Sequence, residues 1–301
     1  MMLSPIRGKY VIAVSGGVDS IVLLNLLVKQ SKNTDLKIIV AHFDHGIRKD
    51  SLNDLRFVKD LTTNYGLKFY SKQGFLGSTA SEQKARQARY SFLNEVVKKE
   101  QADGLITAHH QDDLIETAII NIIRGTGRKG LSSLSSEAKL LRPLLDYPKS
   151  RIIKYAQKNN LQWQEDPTNL DTQYLRNYIR HNIMPKLDKN SRTHLVNLIK
   201  KQAELNYQID KQLTNILNLK SEQKELSRIW LNSLDYMLSK EVLAVWLRQN
   251  GITNFDRYTI ERLSSQLKTV SNNKKVDVLG GWQVILTRNN LALEHSERYQ
   301  N

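Results

Sequence analysis

The stretch Val11-Ile12-Ala13-Val14-Ser15-Gly16-Gly17-Val18-Asp19-Ser20 constrains the fold more than any other part of the chain. A short β-branched run ends in Ser-Gly-Gly-x-Asp-Ser, and Ile21 to Leu27 follows with helical character. The order is strand, glycine turn, helix N-terminus. Such a turn aims several backbone N–H groups, and the positive end of a helix dipole, at one spot where an anion can sit. Gly16 and Gly17 remove the Cβ atoms that would keep a phosphate off the backbone. Ser15 and Ser20 add hydroxyl donors, Val18 contributes its backbone, and Asp19 is suited to hold magnesium between phosphates. A Walker loop would end in Gly-Lys-Ser/Thr, and no lysine lies here. Further on, Gly125-Thr126-Gly127-Arg128-Lys129-Gly130 spells G-x-G-x-x-G. It follows a helical run rather than a strand, so it reads as a helix C-cap and loop, not a dinucleotide fingerprint.

The alternation continues beyond this unit. Leu36 to Phe43 reads as a buried second strand, Ser51 to Tyr65 as a helix, Leu67 to Tyr70 as a third strand and Thr79 to Lys99 as a helix. Gly104 to Ala108 is a fourth strand ending at His109-His110, and Asp112 to Arg124 is helical again. Repeated β-α units predict an α/β fold, a parallel sheet with helices on both faces. In such sheets ligands bind outside the carboxyl ends of the strands. Three strand ends carry polar clusters, Ser15–Ser20, His42–Arg48 and His109–Glu116, and they are expected to converge on one crevice. Leu140 to Leu145 is a last edge strand or extended loop, Pro148 to Lys158 a proline-led helix, and Tyr174 to Leu187 helical with Pro185 near its end. A long helix from Arg192 to about Leu219 leads into two or three helices and a β-hairpin or meander. The domains expected are 1–210, the catalytic domain with its helical linker, and 211–301, a small α+β substrate-binding domain.

Charge points to the partner. The chain of 301 residues carries a formal charge of +15, favouring a polyanion, nucleic acid above all. The excess is spread: 22 basic against 15 acidic residues in 1–150, and 23 against 15 in 151–301. There is no cysteine, so cysteine-ligated zinc, iron–sulfur clusters and thiol chemistry are excluded for these residues. With no signal-peptide pattern and no membrane-length apolar run, the expectation is a soluble cytoplasmic protein without a membrane partner.

Against this basic background, residues 101–123 contain no lysine or arginine, yet Asp103, Asp112, Asp113 and Glu116 fall there. Asp112 and Glu116 are four apart on one helix face. Carboxylates in a first turn also suit the helix dipole, but capping leaves His109 and His110 unexplained. The functional reading is a pocket for a cation: a metal, an amine, or both. Zinc on His42, His45, His109 and His110 is a weaker reading than magnesium held by oxygen ligands and phosphates.

With Ser15–Ser20, His42-x-x-His45-Gly46-x-Arg48 and His109-His110-x-Asp112-Asp113-x-x-Glu116-Thr117 in view, the chain resembles the tRNA(Ile)-lysidine synthetases, within the PP-loop ATP pyrophosphatase superfamily. Arg86-x-x-Arg89-Tyr90, Arg142-Pro143-Leu144 and Tyr174-Leu175-Arg176-Asn177-x-x-Arg180 extend the likeness over about residues 10–190. Longer family members carry a second C-terminal domain, and this chain resembles a short form. Leu114 departs from the glutamine the family commonly has there.

The resemblance implies ATP and Mg2+, free L-lysine, and the minor isoleucine tRNA with a CAU anticodon, whose wobble cytidine becomes lysidine through an adenylated intermediate. It implies a catalytic set of Asp19, His109, Asp112, Asp113 and Glu116. ATP would lie on Ser15, Gly16, Gly17, Val18, Asp19, Ser20 and His45, with Asp19 the metal contact. Lysine would meet Asp112, Asp113 and Glu116. Arg124, Arg128, Lys129, Arg176 and Arg180 would meet tRNA phosphates, and a homodimer is compatible with the family. The alternatives are a PP-loop thiolase, opposed by the absence of cysteine, and an ATP-responsive RNA-binding protein, opposed by the acidic stretch.

Overall fold

A computed structural model describes residues 1–44, 46, 51–74, 82–134, 136, 139–165, 173–222, 224–253, 255–269, 274–278 and 280–295. His45 and Arg48 lie outside them. The chain divides into two compact units, one of residues 1–124 and 130–199, the other of 125–129 and 200–301.

The first unit opens with β1 (Gly8–Ala13), α1 (Val18–Ser31), β2 (Leu36–Asp44), α2 (Ser51–Asn64) and β3 (Lys68–Gln73). It continues through α3 (Glu82–Lys99), β4 (Gly104–Ile106), α4 (Gln111–Ile123), the edge strand β5 (Leu140–Leu141) and α5 (Lys149–Lys158). The strand order is β3-β2-β1-β4-β5, all parallel. The chain therefore winds outward from β1 to β3, then returns through α3 to the other side of β1. A right-handed crossover made in the opposite direction must pass over the opposite face. Alternating side chains record this. Ile12, Ile38, Val40 and Ile106 pack with α1, α2 and α5 residues such as Leu23, Val58 and Ile152. Val11, Ile39, Ala41 and Leu105 pack on the other face with Phe92, Leu93 and Val96 of α3. Burial on both faces is why these strands read as continuous apolar runs.

The segment predicted as one helix over 174–187 is instead three short turns. They are α6 (Leu175–Tyr178), a π-helical turn over Ile179–Ile183 and a 3-10 turn over Met184–Lys186. Pro185 has no N–H to continue an α-helical ladder. The 32-residue α7 (Lys189–Lys220) then crosses the division between the units.

In the second unit, β6 (Ser221–Glu222), β7 (Glu225–Ser227), α8 (Arg228–Ser233), α9 (Tyr236–Gln249) and α10 (Arg257–Thr269) precede β8 (Lys274–Asp277), β9 (Trp282–Leu286) and β10 (Asn290–His295). The expected C-terminal meander is present, but within an antiparallel sheet of order β6-β7-β10-β9-β8. The two added strands are too short and polar to show a period of two. Trp246, Leu243 and Leu217, all fully buried, centre this unit's core. Among the described residues, no helix is long and apolar enough to cross a membrane.

A buried carboxylate ties the sheet at the end away from the Ser15–Ser20 loop. Glu100, just past α3, accepts from Lys68 Nζ and Tyr70 Oη, each at 2.5 Å, and lies 3.2 Å from Lys9 Nζ. The Lys68 and Tyr70 hydrogen bonds hold its carboxyl down to about 2. A depressed carboxylate stabilises the fold fully above its unfolded value of about 4.3, and that contribution disappears as pH falls through the folded value. Glu100→Gln should therefore lower the urea midpoint at pH 7. The gap to the parent protein should close between about pH 4 and pH 2; an unchanged gap across that range contradicts the assignment.

Candidate active site

The topology sets β1 at the centre, with β2 and β4 on either side, so three carboxyl ends lie side by side. The first is the Ser15–Ser20 loop. Gly16 has φ +96°, a conformation that L side chains rarely adopt, and its carbonyl accepts the Gln164 N–H at 3.0 Å. The N–H groups of Ser15 and Gly16 both donate to Ser20 Oγ at 3.2 Å, and that hydroxyl donates to the Gly17 carbonyl at 2.8 Å. Ser20 is buried and folds the loop upon itself, where the sequence read it as a donor to phosphate. Val18 faces the core and offers only its backbone. Gly17 caps α1 in extended conformation with no side-chain hydrogen bond to the cap. The first-turn amides of a helix have no intrahelical partner, so this end is suited to an anion.

At the β2 end, the buried His42 places Nδ1 2.8 Å from the Val14 carbonyl, bracing the strand that carries the loop.

At the β4 end, His110 and Asp113 form a capping box for α4. Asp113 Oδ2 accepts the His110 N–H at 2.9 Å, and His110 Nδ1 accepts the Asp113 N–H at 3.4 Å. That leaves His110 Nε2 as the protonated nitrogen, 3.4 Å from Asp113 Oδ2 and 3.7 Å from Asp19 Oδ1. His110 thus stands between the Ser15–Ser20 loop and the acidic helix. His109 Nδ1 lies 2.9 Å from Thr107 Oγ1. Burial brings the His109 pKa down to about 3, the Asp113 charge opposing and Arg142, Arg89 and Arg86 reinforcing the shift. The ring is neutral at physiological pH.

The acidic helix is balanced from outside its own sequence. Arg180, carried by the π-helical turn, donates from Nε and NH2 to the two oxygens of Glu116, each at 2.8 Å, and from NH2 to Asp113 Oδ1 at 3.3 Å. Such π turns concentrate at functional sites. Arg192 of α7 donates to Asp112 at 2.8 Å, and Arg176 to Thr117 Oγ1 at 3.0 Å. Glu116 is 1% exposed; burial raises its carboxyl even against the Arg180 hydrogen bond. Burial likewise pushes Asp113 up, but His110, His109 and the His110 N–H together hold it below the ordinary value.

Lys149, the first residue of α5, places Nζ 2.7 and 2.6 Å from the two Asp19 oxygens, and its N–H donates to Asp112 Oδ1 at 3.2 Å. Lys149 and Arg192 were not singled out in the sequence. The one available signal was a lysine at the positive end of a helix, where the dipole disfavours it.

Of the other basic residues proposed from the sequence, Arg124 is exposed just beyond α4. Arg128 and Lys129 belong to the second unit. There Arg128 contacts Glu241, Asp210 and Asn206 at 2.7 to 3.0 Å, and Lys129 contacts Asp210 at 2.5 Å. Among the described residues, no group of three or more histidine or acidic side chains is placed to hold a metal by itself.

A parallel α/β sheet whose first strand ends in this loop defines the class, and residues 4–187 match the PP-loop domain, so the chain belongs to the PP-loop domain family. Its relatives are more particular. It is 40% identical over 196 residues to the tRNA(Ile)-lysidine synthase of Lactobacillus gasseri, covering 62% of this chain and 45% of that one. It is 32% identical over 281 residues to the enzyme of the same name from Thermosipho africanus, covering 87% and 63%. The chain thus spans about half to under two thirds of the length of these relatives. The solved U34-tRNA thiolase NcsA from Methanococcus maripaludis, with its 4Fe-4S cluster, superposes with a TM-score of 0.56 at 21% identity, covering 66% of this chain and 72% of that one. That likeness extends to the fold.

The Arg180–Glu116 pair yields a test. Removing Arg180 leaves the buried Glu116 without its partner; with Arg180 itself about one third exposed, the cost is on the order of 1–3 kcal/mol. Arg180→Met should lose about that much in urea unfolding, and adding Glu116→Gln should recover most of it. A double variant no more stable than Arg180→Met would contradict the pairing.

Proposed function

We propose that this PP-loop protein modifies tRNA, joining lysine to C2 of the wobble cytidine in the CAU anticodon of a minor isoleucine tRNA. The observation that carries the reading is the junction at His110, which brings an anion-binding loop and a cluster of carboxylates to neighbouring strand ends. The names of the relatives favour the same chemistry.

In the proposed reaction the cytidine C2 oxygen attacks the α-phosphate of ATP, and pyrophosphate leaves on the Ser15–Ser20 loop. The lysine ε-amine then attacks C2, the C2–O bond to the adenylate breaks, and AMP departs. Nucleotidyl transfer depends chiefly on positioning and on neutralising charge. Mg2+, which prefers oxygen ligands and retains waters, would be held by Asp19 together with the phosphates, and would supply charge neutralisation there. Asp112, Asp113 and Glu116 supply the negative charge for the incoming ammonium. The attacking amine must be neutral, so a proton acceptor is required. His109, brought down to about 3, is a weak base; burial pushes Glu116 up, but it would accept the proton only by releasing Arg180.

Arg124 would contact tRNA phosphates directly. Arg128 and Lys129 would do so only by exchanging Asp210 and Glu241 for RNA. Arg176 and Arg180 would have to exchange Thr117 and the carboxylates, so their part is better read as shaping the pocket. Residues 211–301 would assist tRNA selection. Cytoplasmic location and a homodimer accompany this reading.

Radiolabelled lysine, ATP and tRNA with a CAU anticodon test it. Incorporation into minor isoleucine tRNA but not methionine tRNA is expected. Asp113→Asn should lower the rate roughly a hundredfold or more while tRNA binding stays nearly unchanged. Absence of incorporation by folded protein, or full turnover by Asp113→Asn, would overturn the reaction or the residue's role respectively.

A further inference from the structure

We infer that Lys149 is the phosphate-binding cation that the Ser15–Ser20 loop lacks. This rests on the nucleotide reading above and adds a residue to that site. A pyrophosphate carries several negative charges, and the loop offers amides, hydroxyls and a carboxylate, but no lysine. Lys149 brings one from the far side of the sheet's switch point, 130 residues away in sequence, to 2.6–2.7 Å from Asp19.

The packing of α5 on α1 makes this placement firm. Asp19 meets Lys149, Asn25 meets Tyr155 at 3.0 Å, and Lys29 meets Asn159 at 2.8 Å, always at a separation of 130 residues. The two helices therefore run parallel and in register, with both N-termini at the carboxyl edge of the sheet. Neither N-cap residue, Gly17 before α1 or Pro148 before α5, supplies a side-chain cap, and the first turn of α5 contains no acidic residue; Asp112 of α4 accepts its first N–H. A lysine at such an end is opposed by the dipole unless something negative faces it. Asp19 supplies that charge.

The Lys149 backbone is anchored separately, through its N–H on Asp112, which Arg192 in turn holds. Its side chain is one third exposed, so the ammonium is free to turn from Asp19 toward phosphate oxygens with no burial of new charge. The Asp19 oxygens are then open to a divalent cation. The absence of a loop lysine and the presence of Lys149 on α5 thus complement each other.

The test compares the parent protein with Lys149→Gln and Lys149→Arg, titrating each calorimetrically with Mg·ATP and with Mg·pyrophosphate, and checking folding by thermal unfolding. A charge-assisted hydrogen bond implies that Lys149→Gln weakens both ligands roughly tenfold to a hundredfold. Equal losses for the two ligands would place the contact on the shared diphosphate, and Lys149→Arg should retain most of the affinity. If folded Lys149→Gln binds pyrophosphate as well as the parent protein, or more tightly because Asp19 has been released, Lys149 is only a counter-ion and the inference fails. If the parent protein binds neither ligand, the nucleotide reading fails and the Lys149 role with it.

Discussion

Carboxylates gathered at one end of a parallel sheet need counter-charges, and the first unit is built around supplying them. Asp19, Asp112, Asp113 and Glu116 sit at the ends of β1 and β4, and Glu116 is almost completely buried. An isolated buried carboxylate is costly enough to take up a proton rather than stay charged. Here Lys149 answers Asp19, Arg192 answers Asp112, and Arg180 answers Glu116 and Asp113. Each cation comes from beyond residue 148, after the sheet is complete. Later elements are therefore fastened to the carboxyl edge of the sheet by charge as well as by apolar contact.

This balance has a functional side. The charges at this edge are satisfied by the chain's own residues, and under the proposed function substrates would exchange with them. Lys149 and Arg180 are both partly exposed at about one third, while their partners are more enclosed. The carboxylates are thus held by the scaffold, and the cations are the side chains with room to turn. His110 links the two halves, since one ring caps α4 and reaches toward the loop.

The sheet, its parallel sense and the three adjacent strand ends were legible in the sequence, because both-face burial makes strands such as Leu36–Asp44 continuous apolar runs. The loop was legible because few residue types tolerate a φ of +96° at Gly16. The acidic helix was legible as an inversion of local charge. What paired with it was not, because the partners stand some 64 to 130 residues away, and sequence spacing carries no record of such contacts. Arg180 in particular read as a phosphate contact on a regular helix. Only the π turn, absent from any simple periodicity, turns its guanidinium onto Glu116. The strands β6 and β7 were missed for want of length.

The central claim is that the Ser15–Ser20 loop holds the β- and γ-phosphates of a nucleotide. A crystal structure with a non-hydrolysable ATP analogue and Mg2+ addresses it most directly. The account predicts the terminal phosphates on the amides between Gly16 and Ser20, at the shared N-terminal end of α1 and α5. A nucleotide bound elsewhere, or one whose phosphates point away from this loop, would contradict it.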